Sequence, residues 1–137
     1  MKTPLPHTQK AFDKAQLSKA ALQAFFSIST KWKLKPEQQM CLLGGVPRST
    51  FYAWKDKLQS ETSFEIPKDT LERVSYLLGI YKNLHILLPD ERAANEWVHK
   101  PNTAPLFNGA TALQKMLAGH VVDLADIRRY LDSARGS

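Results

Sequence analysis

An all-α fold is predicted for this 137-residue chain by three features of its sequence. Apolar residues recur at intervals of three and four along most of the chain, the period of one helix face. The breaks between these stretches fall on helix start and stop signals, at Pro36-Glu37, Gly44-Gly45, Pro89-Asp90-Glu91, Thr111 and Gly119. No alternating apolar–polar run long enough for a half-buried strand occurs, and no internal repeat. About seven helices are expected.

In chain order, residues 1–12 carry two prolines among polar residues and read as a loose N-terminal arm. From Asp13 to Ser29, Ala15, Leu17, Ala20-Ala21-Leu22 and Ala24-Phe25-Phe26 give a helix with an apolar face. Lys31 to Lys35 is a basic connector. Pro36 suits the first position of the next helix, and Glu37 complements its dipole. Ser60 to Lys68 is polar, holds Pro67, and marks the end of an N-terminal lobe spanning residues 13–66.

Residues 67–88 form a central helix that is apolar nearly all round, with Asp69 and Glu72 resembling a capping pair at its start. Such a helix is either the core of the molecule or a dimer surface. Pro89 ends it and opens a second small lobe, residues 89–137. There, a helix carries Ala93, Ala94 and Trp97, and Lys100 to Pro105 is a loop. Thr111 to Gln114 fits a capping box for a short helix that Gly119 ends. Asp123 and Asp126 begin a last helix with Leu124, Ile127 and Leu131 on one side.

The stretch Gln38 to Leu58 has the layout of a helix-turn-helix. Gly45 can adopt the left-handed conformation that turns the chain, and Val46 fills the gap between the helices. Cys41, four residues earlier, supplies a small residue where the helices cross. Pro47 is preorganised for a helix start. Phe51, Trp54 and Leu58 then form one buried stripe, which leaves Arg48, Ser49, Thr50, Tyr52 and Lys55 as the DNA-facing set. Arg48 and Ser49 stand in the first turn, where a recognition helix meets base edges, and Lys55 is placed to reach a phosphate. An ordinary helical hairpin with a solvated basic face shares this periodicity. The glycine turn followed by Arg-Ser-Thr and then Trp favours the DNA-reading motif.

Charge agrees with it. Residues 1–68 hold 11 Lys and Arg against 5 Asp and Glu, whereas residues 69–137 hold 8 of each, so the whole net charge of +6 lies with the motif. A one-sided basic lobe is the footprint of a polyanion binder, although a lysine surface also serves solubility. No apolar run approaches the roughly 20 residues that span a bilayer, and the N-terminus has no secretory apolar core. A single cysteine excludes an internal disulfide and fits a reducing cytoplasm.

The second lobe carries Ala94, Trp97, Pro101-Asn102, Leu106-Phe107, Asn108-Gly109, Thr111, Leu113, Met116-Leu117 and Gly119 in that order, before a final helix through Leu131. This set resembles the toxin-binding domain of the Xre/MbcA/ParS antitoxins, and the residues before it resemble their Xre-type helix-turn-helix. The resemblance covers roughly residues 15–137. Ala112 departs from it, since relatives often have proline there.

The resemblance implies an antitoxin of a type II toxin–antitoxin system in a bacterial cytoplasm. Its partner would be a RES-domain toxin that consumes NAD or transfers ADP-ribose from it. The antitoxin would cover the toxin's NAD-binding entrance and bind operator DNA to repress the shared operon. The toxin-facing set would comprise Trp97, Asn102, Arg128, Leu131, Arg135, Gly136 and Ser137. A homodimer through the central helix would set two recognition helices one DNA turn apart, about 34–36 Å, and higher assemblies with the toxin would follow. A stand-alone dimeric repressor is the alternative.

No cofactor is required of this chain, because NAD belongs to the toxin. His7, His85, His99 and His120 share no metal-ligand spacing, so no metal site is expected. Gly44-Gly45 lacks the Gly-Lys-Ser/Thr of a phosphate loop. Without a catalytic constellation, no enzyme activity is expected.

Overall fold

The computed structural model describes residues 6–60 and 62–136, with side chains from Lys14 onward. Among them are seven α-helices: α1 (Pro6–Lys31), α2 (Pro36–Leu42), α3 (Arg48–Ser60), α4 (Lys68–Leu87), α5 (Glu91–Glu96), α6 (Ala112–Met116) and α7 (Val121–Gly136). A 3-10 turn, Trp97–His99, follows α5. The described residues contain no β-ladder, just an isolated bridge between Pro101 and Thr111.

The first helix starts at Pro6, earlier than the expected Asp13. Proline loses nothing at a helix start, because its missing N–H would have no intrahelical partner there. The proposed loose arm is therefore helical from Pro6, and residues 1–5 lie outside the described residues. Leu22, Phe25 and Ile28 line one face of α1, Trp32 follows just past its end, and all four are buried. The helix ends in a Schellman turn, in which Leu34 N–H donates to Ser29 O at 2.9 Å and Lys33 N–H to Thr30 O at 3.1 Å. Lys33 holds the left-handed position at φ 55°, which usually falls to glycine.

The glycine turn after α2 is also a Schellman turn, with Gly44 N–H on Cys41 O and Gly45 N–H on Met40 O. Both glycines have positive φ, 113° and 75°. Their surroundings differ. A Cβ on Gly44 would lie 2.9 Å from Asp69 Oδ2, whereas one on Gly45 would meet nothing. The Asp69 carboxylate can give way, so the positive φ is what reserves both positions for glycine.

Helix α4 is the spine. Val74, Leu77, Ile80 and Leu84 are buried on it, and it packs on both α1 and α7. Its capping pair is not formed. Pro67 is the N-cap, and Asp69 instead pairs with Arg73 one turn on, at 2.9 Å. Thr70 Oγ1 donates to Leu43 O at 3.0 Å, which fastens the α2–α3 turn to the spine. On the other side, Arg73 donates to Gly119 O at 3.1 Å, which fastens the turn before α7.

The Cys41 thiol donates to Leu117 O at 3.5 Å, so this small side chain meets the second lobe as well as its own. Ser18 Oγ accepts from Ile66 N–H at 3.1 Å and holds the 62–67 connector on α1. Buried residues from Ala21 to Leu131 form a single core running through both lobes. The capping box expected at α6 is complete: Gln114 N–H donates to Thr111 Oγ1 at 3.0 Å, and Thr111 N–H to Gln114 Oε1 at 2.8 Å.

Candidate functional site

Two faces carry the chemistry. The first is α3. Phe51 and Trp54 are buried and Leu58 is half-buried, so the inward stripe forms as expected. Arg48 and Ser49 are exposed at the first turn, Thr50 is half-buried and Tyr52 is exposed.

Arg48 is not idle. Its Nη2 donates to Glu37 Oε1 at 3.2 Å, across the turn from the start of α2. Both side chains stay mostly in water, so the pair is weak and can be exchanged. Glu37 sits in the first turn of its helix. Its own backbone N–H, then Arg48, hold its carboxyl below the usual carboxylate range.

Lys55 differs from expectation. Its Nζ lies 5.2 Å from the ring centres of Phe26 and Phe51 and 5.8 Å from Tyr52, a cation–π seat instead of a reach into solvent. Phosphate contact would need Lys55 to leave that seat.

The second face is the C-terminal region. After the 3-10 turn, the chain closes a loop between Pro101 and Thr111. Asn102 N–H donates to Ala110 O and Gly109 N–H to Asn102 O, at 3.0 and 2.8 Å. Asn102 Oδ1 also accepts from Ala104 N–H at 2.9 Å, so its side chain builds this loop. Trp97 is half-buried and stands edge-on to Phe107 at 5.7 Å. Phe107 in turn stands edge-on to Tyr130 at 5.4 Å.

Of the residues named as toxin-facing, Leu131 is corrected. It is 3% exposed and belongs to the core with Leu124 and Ile127, because it falls on the inward stripe of α7. Arg128 lies against α4 at Gly79, where an added Cβ would be 2.5 Å from its guanidinium carbon. Its Nε is 3.7 Å from Asp132. Arg135 and Gly136 are exposed at the end of α7, but Arg135 is tied back to α4 through Asn83. Ser137 lies outside the described residues. Asn83, Tyr130 and Arg129 were absent from the sequence-based set. An asparagine inside an apolar helix, and a tyrosine off the 124–127–131 stripe, were the available signals.

Residues 11–79 match the family model of the antitoxin Xre-like helix-turn-helix domain. Residues 83–136 match that of the antitoxin Xre/MbcA/ParS C-terminal toxin-binding domain. The chain belongs to the Xre/MbcA/ParS antitoxins. The antitoxin is also 41% identical over 136 residues, 99% of each chain, to an uncharacterized protein of Sinorhizobium fredii, y4oB. No solved structure matches it. The first matched region of the antitoxin ends at residue 79 and the second begins at residue 83, both within α4. Both domain types are those of non-enzymatic regulators. Among the described residues no group of His, Cys, Asp and Glu could hold a metal ion. No described helix is long and apolar enough to cross a membrane.

Proposed function

We infer that this antitoxin neutralises a RES-domain toxin that consumes NAD or transfers ADP-ribose, by laying the end of α7 over the toxin's NAD-binding entrance. The same chain represses its operon by setting α3 in the major groove of operator DNA. Arg48 reads a base edge there, and Ser49, Thr50 and Tyr52 contact the adjoining groove.

One observation carries this reading. A helix-turn-helix that keeps Arg48, Ser49 and Tyr52 exposed on its outward face shares a core with a domain of the toxin-binding family. The basic excess of residues 1–68 supports the DNA half. The exposed end of α7 supports the toxin half, with Arg135 and Gly136 at its tip.

The test is a pull-down of the antitoxin from its native cells, with co-purified proteins identified by mass spectrometry, followed by NAD measurement in cells expressing the partner. A stoichiometric RES-domain protein that depletes NAD alone, but not beside the antitoxin, is the expected result. A partner without that domain overturns the toxin assignment. Retention of DNA with no protein partner favours the stand-alone dimeric repressor.

A further inference from the structure

We propose that the outward face of α7, centred on Tyr130 and Arg129 with Leu106 beside them, is the surface on which the toxin lands. This rests on the reading that the antitoxin neutralises a toxin, and it names the contact through which it does so.

The face is what remains after α7 has met its own protein. Leu124, Ile127 and Leu131 enter the core, while Arg128, Asp132 and Arg135 engage one another and α4. Val122 and Tyr130 are left outward, 58% and 37% exposed, two helical turns apart. Tyr130 is the one of the two that stands beside an exposed arginine, a pairing suited to an intermolecular partner.

Tyr130 is also held from below. Its ring stands at 89° to Phe107, which is buried and itself stands at 83° to Trp97. An aromatic fixed in this way loses little freedom on binding. Beside it, Leu106, Asp126 and Arg129 line a shallow open depression. Arg129 is 76% exposed and pairs with Asp126 at 3.3 Å, a contact it can exchange for a carboxylate on a partner. Exposed tyrosine next to arginine is the usual composition of a binding hot spot.

The occupant is the toxin because the whole face lies within residues 83–136, the toxin-binding domain, and runs straight into the end of α7. The fitting partner surface has an apolar socket for the Tyr130 ring and a carboxylate beside it for Arg129.

The test measures affinity between the purified antitoxin and a RES-domain toxin isolated with it, for wild type, Tyr130→Ala, Tyr130→Phe and Arg129→Glu. Helix content and operator binding are followed in parallel. Tyr130→Ala and Arg129→Glu should each weaken toxin binding at least tenfold with operator binding intact, and Tyr130→Phe should retain it. Arg129→Glu keeps the test valid if Tyr130→Ala disturbs the fold. Unchanged affinity in both variants overturns this surface and leaves the neutralisation reading standing. A change in self-association with toxin affinity unchanged also overturns it, and assigns the face to a second copy. A wild-type chain that binds no RES-domain toxin overturns both.

Discussion

The Asn83 amide and the Arg135 guanidinium, 52 residues apart, meet at 2.7 Å across the α4–α7 interface. Asn83 accepts from Arg135 with Oδ1 and donates from Nδ2 to Asp132, also at 2.7 Å. It is 1% exposed, so a buried amide has both its ends satisfied by charged groups at the rim. The last turn of α7 is thereby fastened to the spine.

Asn83→Ala should lower unfolding stability by about 1–3 kcal/mol, since it removes two hydrogen bonds to charged partners. Urea denaturation measures this. A loss below about 0.5 kcal/mol would mean that water replaces the amide without cost, and the fastening would lose its energetic basis.

Gly79→Ala should leave stability near that of wild type. Alanine in a helix gains roughly 1 kcal/mol over glycine, while its Cβ displaces the end of a flexible arginine from a half-exposed contact. The Arg128 guanidinium must then swing away. If Arg128 faces the toxin as the family resemblance implies, toxin affinity falls without loss of fold. Equal affinity in a binding titration would remove Arg128 from the interface.

Arg48→Ala should weaken operator binding by about 1–3 kcal/mol if Arg48 reads a guanine. Glu37→Gln should act oppositely, raising operator affinity a few-fold, because it frees Arg48 and removes an acid beside the phosphates. The sign with pH is set by the depressed carboxyl of Glu37. It stays ionised on mild acidification and keeps its hold on Arg48 until pH falls below the usual carboxylate range. Gel-shift titrations of both variants across pH 5–8 check this. Weaker binding by Glu37→Gln would show that Glu37 orients Arg48 instead of competing for it.

Lys33→Gly should raise stability by roughly 0.5–1 kcal/mol, because lysine bears a left-handed φ of 55° at a position made for glycine. If the lysine is kept for phosphate contact, the same variant loses operator affinity and the salt slope falls by about one unit. Stability gained with no change in salt slope would leave the strain at Lys33 without a DNA role.

Periodicity, caps and breakers are local properties, and they were legible in the sequence as an all-α chain with a helix-turn-helix at residues 38–58 and a capping box at Thr111. Each depends on neighbours within about four residues, which share a turn whatever the rest of the molecule does. The resemblance carried by Trp97 to Gly119 was legible for the same reason, as an ordered set along the chain. What tertiary structure alone decided is which side of each helix is spoken for. Periodicity placed Leu131 on an apolar stripe but did not reveal that it is buried in the core. It left Tyr130 unremarked because its exposure depends on Phe107, 23 residues away. Composition set residues 67–88 apart as a central helix, but it did not show that this one helix packs against both α1 and α7. Burial is a sum over distant segments, and no local pattern contains it.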